Sequence, residues 1–205
     1  MMDALSDSIG SECGSWSAKD WAKDKEVLIV GSGPSVEKYI NEIKQYIEDN
    51  NPIVLCLNIN KNIPESLVTA YIACHETRVA IELDLYSDLG KPIILPMSRM
   101  PSEIKDLLLN VDILDYGMKI EKKTLFAQEN GCILYKSLVL MYALSLLSVS
   151  GVKKISMTGI DGYKEGNSKQ QEILNMFDKF MDTNYDLDLC AITPTTYPIS
   201  QELII

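Results

Sequence analysis

The run Glu26-Val27-Leu28-Ile29-Val30, followed at once by Gly31-Ser32-Gly33-Pro34-Ser35, constrains this chain more than any other stretch. Consecutive branched apolar residues are buried only if both faces of a strand are covered, which predicts an interior strand at Val27–Val30. Gly31 and Gly33 permit backbone angles that a Cβ forbids and let a ligand approach the main chain. Pro34 suits the first helical position, where its missing N–H would have been unpaired anyway. The free amides and positive dipole end of the helix that follows make a seat for an anion such as phosphate. The loop is neither familiar phosphate fingerprint: Val36 stands where a dinucleotide motif has its third glycine, and no Gly-Lys-Ser/Thr completes a Walker loop. A tight turn with no ligand satisfies the same residues.

The alternation continues along the chain. Strands are expected at 53–57, 70–74, 92–95, 112–116, 154–157 and 187–192, and helices at 36–49, 64–67, 78–87, 102–109, 135–149 and 168–183. Strands separated by helices imply right-handed crossovers and a mostly parallel sheet with helices on both faces. The expected fold is therefore α/β, a single Rossmann-like domain spanning residues 24–205. Residues 1–23 are rich in Ser, Gly, Asp and Lys and read as a linker or remnant of a preceding module, with Trp16 and Trp21 docking on the domain.

Composition acts mainly by exclusion. A chain of 205 residues can bury one substantial core, and a formal net charge of −10 argues against a nucleic-acid surface. The two arginines, Arg78 and Arg99, are candidates for anion pairing. Five cysteines at 13, 56, 74, 132 and 190 form no C-x-x-C pair, so neither a zinc site nor a redox motif is suggested. Cys56, Cys74 and Cys190 sit in apolar runs and read as small core residues. The longest apolar stretch, Leu138–Val149, is too short to cross a bilayer, and no signal peptide is recognisable. A reducing, cytoplasmic compartment is the expectation.

In a parallel sheet, ligands bind at the carboxyl ends of the strands near the reversal of strand order. Five polar clusters fall at expected strand ends: Gly31–Ser35, Asn58–Asn60, His75–Arg78, Thr158–Tyr163 and Thr193–Thr196. Asn58 has the amide to read a base or hold a ribose hydroxyl, or it closes the second strand as an Asx turn. His75, the sole histidine, is an acid, a base or a phosphate partner, or a hydrogen-bonded structural residue. Asp161 accepts ribose hydroxyls or holds a metal, or caps a turn. Tyr163 is a ring platform or a loop anchor. Ser137 opens the long helix as a cap or an anion ligand.

The stretches IVGSGPSVEKY, CLNIN, GVKKISMTGIDGY and LCAITPTTYP resemble glycosyltransferase family 42 sialyltransferases. They are also similar to the family of motility-associated factors and archaeal pterin diphosphokinases. The resemblance implies that Gly31, Ser32, Gly33, Ser35, Asn58, Ser137, Gly159 and Asp161 hold a nucleotide, joined by Thr193 at the last strand end. In the sialyltransferases the nucleotide is CMP on a sugar, transferred without metal. LNIN, ILPMSR, GIDGY and ITPTTYPI are also similar to the C-terminal segment of bacterial 4-hydroxy-2-oxovalerate aldolase-like proteins, which implies an N-terminal aldolase module as partner. The barrel's catalytic residues are absent from this chain. The sialyltransferases place a histidine late in the chain as base, whereas none follows His75 here. The expectation is a CMP-type nucleotide or nucleotide-sugar binding domain in surface-glycan biosynthesis, with His75 or Asp161 as catalytic groups if it transfers. The alternatives are a Mg²⁺-dependent diphosphotransferase with Asp161 and substrate phosphates on the metal, or a non-catalytic docking or homo-oligomerisation domain.

Overall fold

The computed structural model describes residues 10–205 except 165, 184 and 186; residues 1–9 of the expected linker lie outside the described residues. The strands are β1 (Glu26–Val30), β2 (Ile53–Leu57), β3 (Ala70–Ile72), β4 (Ile93–Leu95), β5 (Ile113–Asp115), β6 (Gly117–Ile120), β7 (Phe126–Gln128), β8 (Gly131–Leu134), β9 (Lys154–Thr158), β10 (Leu189–Ala191) and β11 (Ser200–Gln201). Eight of them form one parallel sheet in the order β11-β10-β9-β1-β2-β3-β4-β5. The expected α/β, Rossmann-like architecture is the observed one.

The chain explains why this sheet is buried twice over. Val27 and Ile29 face one core with Ile53, Leu55 and Met157, while Leu28 and Val30 face the other with Val54 and Cys56. The second core is covered by α1 (Ser35–Lys38), α2 (Ile40–Asn50), α3 (Glu76–Ile81), α4 (Leu83–Asp88) and α5 (Ser102–Leu107). The first is covered by α6 (Val139–Leu147) and α7 (Ser168–Met181). Of the nine residues of α6, eight are buried, as expected of a helix apolar nearly all round. Helix α7 buries Met176, Phe177 and Phe180, each worth about 1.5–3 kcal/mol of transfer free energy.

Several boundaries differ from the periodicity reading. The helix expected at 36–49 is interrupted at Tyr39 (φ −116°, ψ 30°), giving α1 and α2. The helix expected at 78–87 is likewise two short pieces joined at Glu82. The helix expected at 135–149 starts at Val139, with Leu138 extended at its cap. Ser137 therefore does not open it. A three-stranded sheet, β6-β8-β7, was not anticipated, and neither was β11. Its strands are three or four residues long and begin at glycines or follow turns, so they carry too little alternation to register.

This small sheet is where the segment before Lys25 packs. Gly14 N–H donates to Asn130 O (2.8 Å), Trp16 N–H to Asp115 O (3.0 Å) and Ala18 N–H to Glu129 O (2.6 Å). Ala18 and Ala22 are fully buried, and Trp16 and Trp21 meet edge-to-face at 6.1 Å against the first core. A Cβ on Gly131 would run into the Glu12 carbonyl, so the approach depends on that glycine.

Candidate functional site

Strand β1 sits between β2 and β9, so consecutive crossovers leave it in opposite directions. A crevice opens at such a reversal because the loops diverge to the two faces. The loop after β1 and the loop after β9 nevertheless stay in contact at their base. Gly31 N–H donates to Thr158 O and Gly33 N–H to Gly159 O, both at 2.8 Å. A Cβ on Gly33 would stand 2.7 Å from Gly159 O, and one on Gly159 would stand 2.5 Å from Val36 Cγ2. Gly159 alone of these three has a positive φ, +70°. Gly31 and Gly33 are thus small so that two protein loops can touch, and they do not use glycine-only backbone angles. This corrects the expectation of unusual backbone angles at Gly31 and Gly33.

The anion seat expected at the helix start is taken from within. Asp161 Oδ2 accepts from Ser35 N–H (2.8 Å), and Asp161 Oδ1 accepts from Ser35 Oγ–H. Ser35 Oγ also accepts from Gly159 N–H (3.2 Å) and lies 3.2 Å from Thr193 Oγ1, which lies 3.1 Å from Thr158 Oγ1. Val36 N–H turns back to Gly33 O (3.1 Å). Among the described residues, Ser32 N–H is the loop donor left without a partner. Ser35 and Thr193 are buried beneath the loops and join them together.

Above this floor lies a cavity of about 380 Å³ lined by Gly31, Ser32, Asn58, Gly159, Asp161 and Tyr163, among others. Apolar walls come from Val139 and Leu140 of α6, Ile173 of α7, and Tyr197. Burial pushes the Tyr197 phenol up to about 12, so it is a neutral hydroxyl at physiological pH. No Lys, Arg or His lines the cavity among the described residues. Asn58 sits at its edge with a left-handed backbone (φ 58°). The Asx turn weighed for Asn58 is found two residues later, where Asn60 Oδ1 accepts from Asn62 N–H (2.9 Å) and Asn60 Nδ2–H donates to Gly31 O (2.6 Å). The Asn58 side-chain amide has no hydrogen-bond partner among the described residues, and Asn58 is part of the cavity wall. Tyr163 is 46% exposed, with Lys169 Nζ 5.8 Å from its ring centre.

His75 and Ser137 do not line that cavity. They meet each other instead, His75 Nε2 lying 2.9 Å from Ser137 O, while Ser137 Oγ lies 3.7 Å from Cys74 Sγ. Burial pushes the Cys74 thiol up to about 12. The arginines expected to pair anions are engaged within the fold. Arg78 Nε lies 3.1 Å from Glu82 Oε1, and the buried Arg99 lies 3.7 Å from Glu76 Oε2. Both pair with acids of α3 or the turn after it, beyond the rim of the cavity. The apolar walls from α6 and α7 escaped sequence reasoning, because their periodicity matches that of ordinary core residues.

No family model matches the chain, and no curated protein matches it. Among solved structures, the MAf glycosyltransferase from Magnetospirillum magneticum AMB-1 is similar, with a TM-score of 0.66 at 10% identity. The alignment covers 97% of this chain and 37% of that chain, so this chain spans little more than a third of its neighbour's length. The two share a fold. No helix among the described residues is long and apolar enough to cross a membrane.

Proposed function

We propose that this domain binds a nucleoside monophosphate carried on a sugar, of CMP type, and serves glycosyl transfer in surface-glycan biosynthesis. The observation that carries the reading is the open Asn58 amide at a cavity on the β1/β9 switch point. An amide can donate to and accept from one pyrimidine edge, and Tyr163 offers a ring face beside it. The cavity lacks a cation, which suits a ligand with one phosphate better than a di- or triphosphate. The glycosyltransferase neighbour supports transfer at the level of fold. The aldolase-like module implied by ITPTTYPI would then act on the same pathway's small-molecule end. A Mg²⁺-dependent diphosphotransferase is the weaker reading, because Asp161 spends both oxygens on Ser35.

Thermal-shift titration with CMP, CDP, CTP, ATP and GTP, with and without Mg²⁺, tests this directly. At ten times its dissociation constant a ligand stabilises by about 1.4 kcal/mol. CMP is expected to shift the melting temperature without metal, and Asn58→Ala to remove the shift. A chain unmoved by every nucleotide would sink the proposal, and a shift strictly dependent on Mg²⁺ would favour the diphosphotransferase.

A further inference from the structure

A second cleft of about 380 Å³ lies across a ridge formed by Pro34 and Asp161, residues that line both spaces. Its near wall is Lys38 and Tyr39, and its far wall is Pro194–Thr196. Consecutive side chains of an unbroken helix diverge by about 100°, so they do not share a surface. The interruption at Tyr39 removes that constraint and brings both into one cleft. The far wall is fixed to the same ridge: Thr196 N–H donates to Asp161 O (3.0 Å) and Thr195 Oγ1–H to Ile160 O (2.5 Å).

We infer that this cleft is a second ligand subsite that takes an anionic group, a phosphate or carboxylate, on Lys38. The assignment of the neighbouring cavity to a nucleotide rests on the reading above; the chemistry of the cleft stands on Lys38 itself. The chain has 29 acidic residues against 19 basic ones, yet Lys38 has no carboxylate partner among the described residues. Its ammonium is held 4.7 Å from the Tyr39 ring centre, an arrangement that orients the cation without neutralising it. Asp161 lines both spaces and the cavity has no other charged side chain among the described residues, whereas the cleft sets Lys38 against that carboxylate, so an anion on a ligand spanning the ridge finds its attraction at Lys38. The anion has two possible sources: the phosphate of the nucleotide itself, or an acid group on a second substrate such as an acidic sugar.

Calorimetric titration of the full chain separates them, using cytidine against CMP, and glucuronate against glucose on CMP-saturated protein. Lys38 is exposed, so Lys38→Gln should fold as the parent does. The variant is expected to weaken one anionic probe by about tenfold, the equivalent of one well-placed charge contact, and to leave cytidine and glucose unchanged. Loss confined to CMP assigns the cleft to the nucleotide's phosphate, and loss confined to glucuronate assigns it to a second substrate. The inference is overturned if Lys38→Gln binds every probe as the parent does, if neither anionic probe binds the parent, or if Lys169→Gln reproduces the loss. Failure of cytidine and CMP alone, with glucuronate titrated without nucleotide still dependent on Lys38, would remove the nucleotide reading and leave the subsite.

Discussion

At the scale of single residues, the pocket floor is a set of contacts between two loops that are 126 positions apart at Ser35 and Asp161. Gly159→Ala would impose a side chain at φ +70° and press it against Val36, costing about 2–4 kcal/mol, measurable as a lowered urea midpoint. Asp161→Ala would leave the Ser35 N–H and hydroxyl without their acceptor, costing about 1–3 kcal/mol. Asp161→Asn keeps an acceptor oxygen while removing the charge, and should raise affinity for CTP relative to CMP; an unchanged ratio would show that the carboxylate does not discriminate. The glycines were legible from sequence as positions needing a small residue. Their contact was not, since nothing local in GSGPS says that the neighbour pressing on it is GIDG. Asn58 was legible as a polar strand-end residue, but only the location of the Asx turn at Asn60 decides that its amide is open.

At the scale of elements, the interior strands were readable because two-sided burial leaves an unbroken apolar run, and Ile53–Leu57 was placed to the residue. The helix starts were less readable. Tyr135 to Leu138 are as apolar or helix-tolerant as the helix that follows, yet the chain bends at Tyr135 and Lys136, Leu138 is extended, and Ser137 O meets His75 past the end of β3. The small sheet depends on tertiary support, and α6 supplies part of it: Tyr142 Oη–H donates to Tyr116 O within a fully buried pair of rings. Tyr142→Phe should therefore cost about 1–3 kcal/mol, with near-ultraviolet dichroism of the aromatic cluster altered and the sheet content retained. Deleting residues 1–23 would uncover Gly117 and Gly131 and take the buried Ala18 and Ala22 out of the first core, so the truncated chain should melt well below the parent.

At the scale of the whole molecule, burial of weak acids makes the fold sensitive to alkali. Burial pushes the Cys56 and Cys74 thiols up to about 12 from 9.0, and the Tyr46 and Tyr71 phenols up to about 12 from 10.0. The unfolded chain releases these protons first, so their contribution is complete below pH 9 and is lost as pH rises toward 12. Urea midpoints should fall steeply between pH 9 and 11, and a flat profile there would contradict the burial of these groups. Thiol titration gives a second check: Cys13 is exposed and the other four cysteines are buried, so one equivalent should react before denaturation. The interruption at Tyr39 bears on motion as well as shape. Tyr39 N–H is bonded to Ser35 O and Ile43 N–H to Tyr39 O, while Ile40, Asn41 and Glu42 form the opening turn of α2, where N–H groups lack an intrahelical acceptor. Hydrogen exchange should find faster amides at Ile40, Asn41 and Glu42 than at Tyr39 and Ile43, marking the break between α1 and α2 as the local weak point in the wall of the cleft; equal protection across the five would make α1 and α2 one unit.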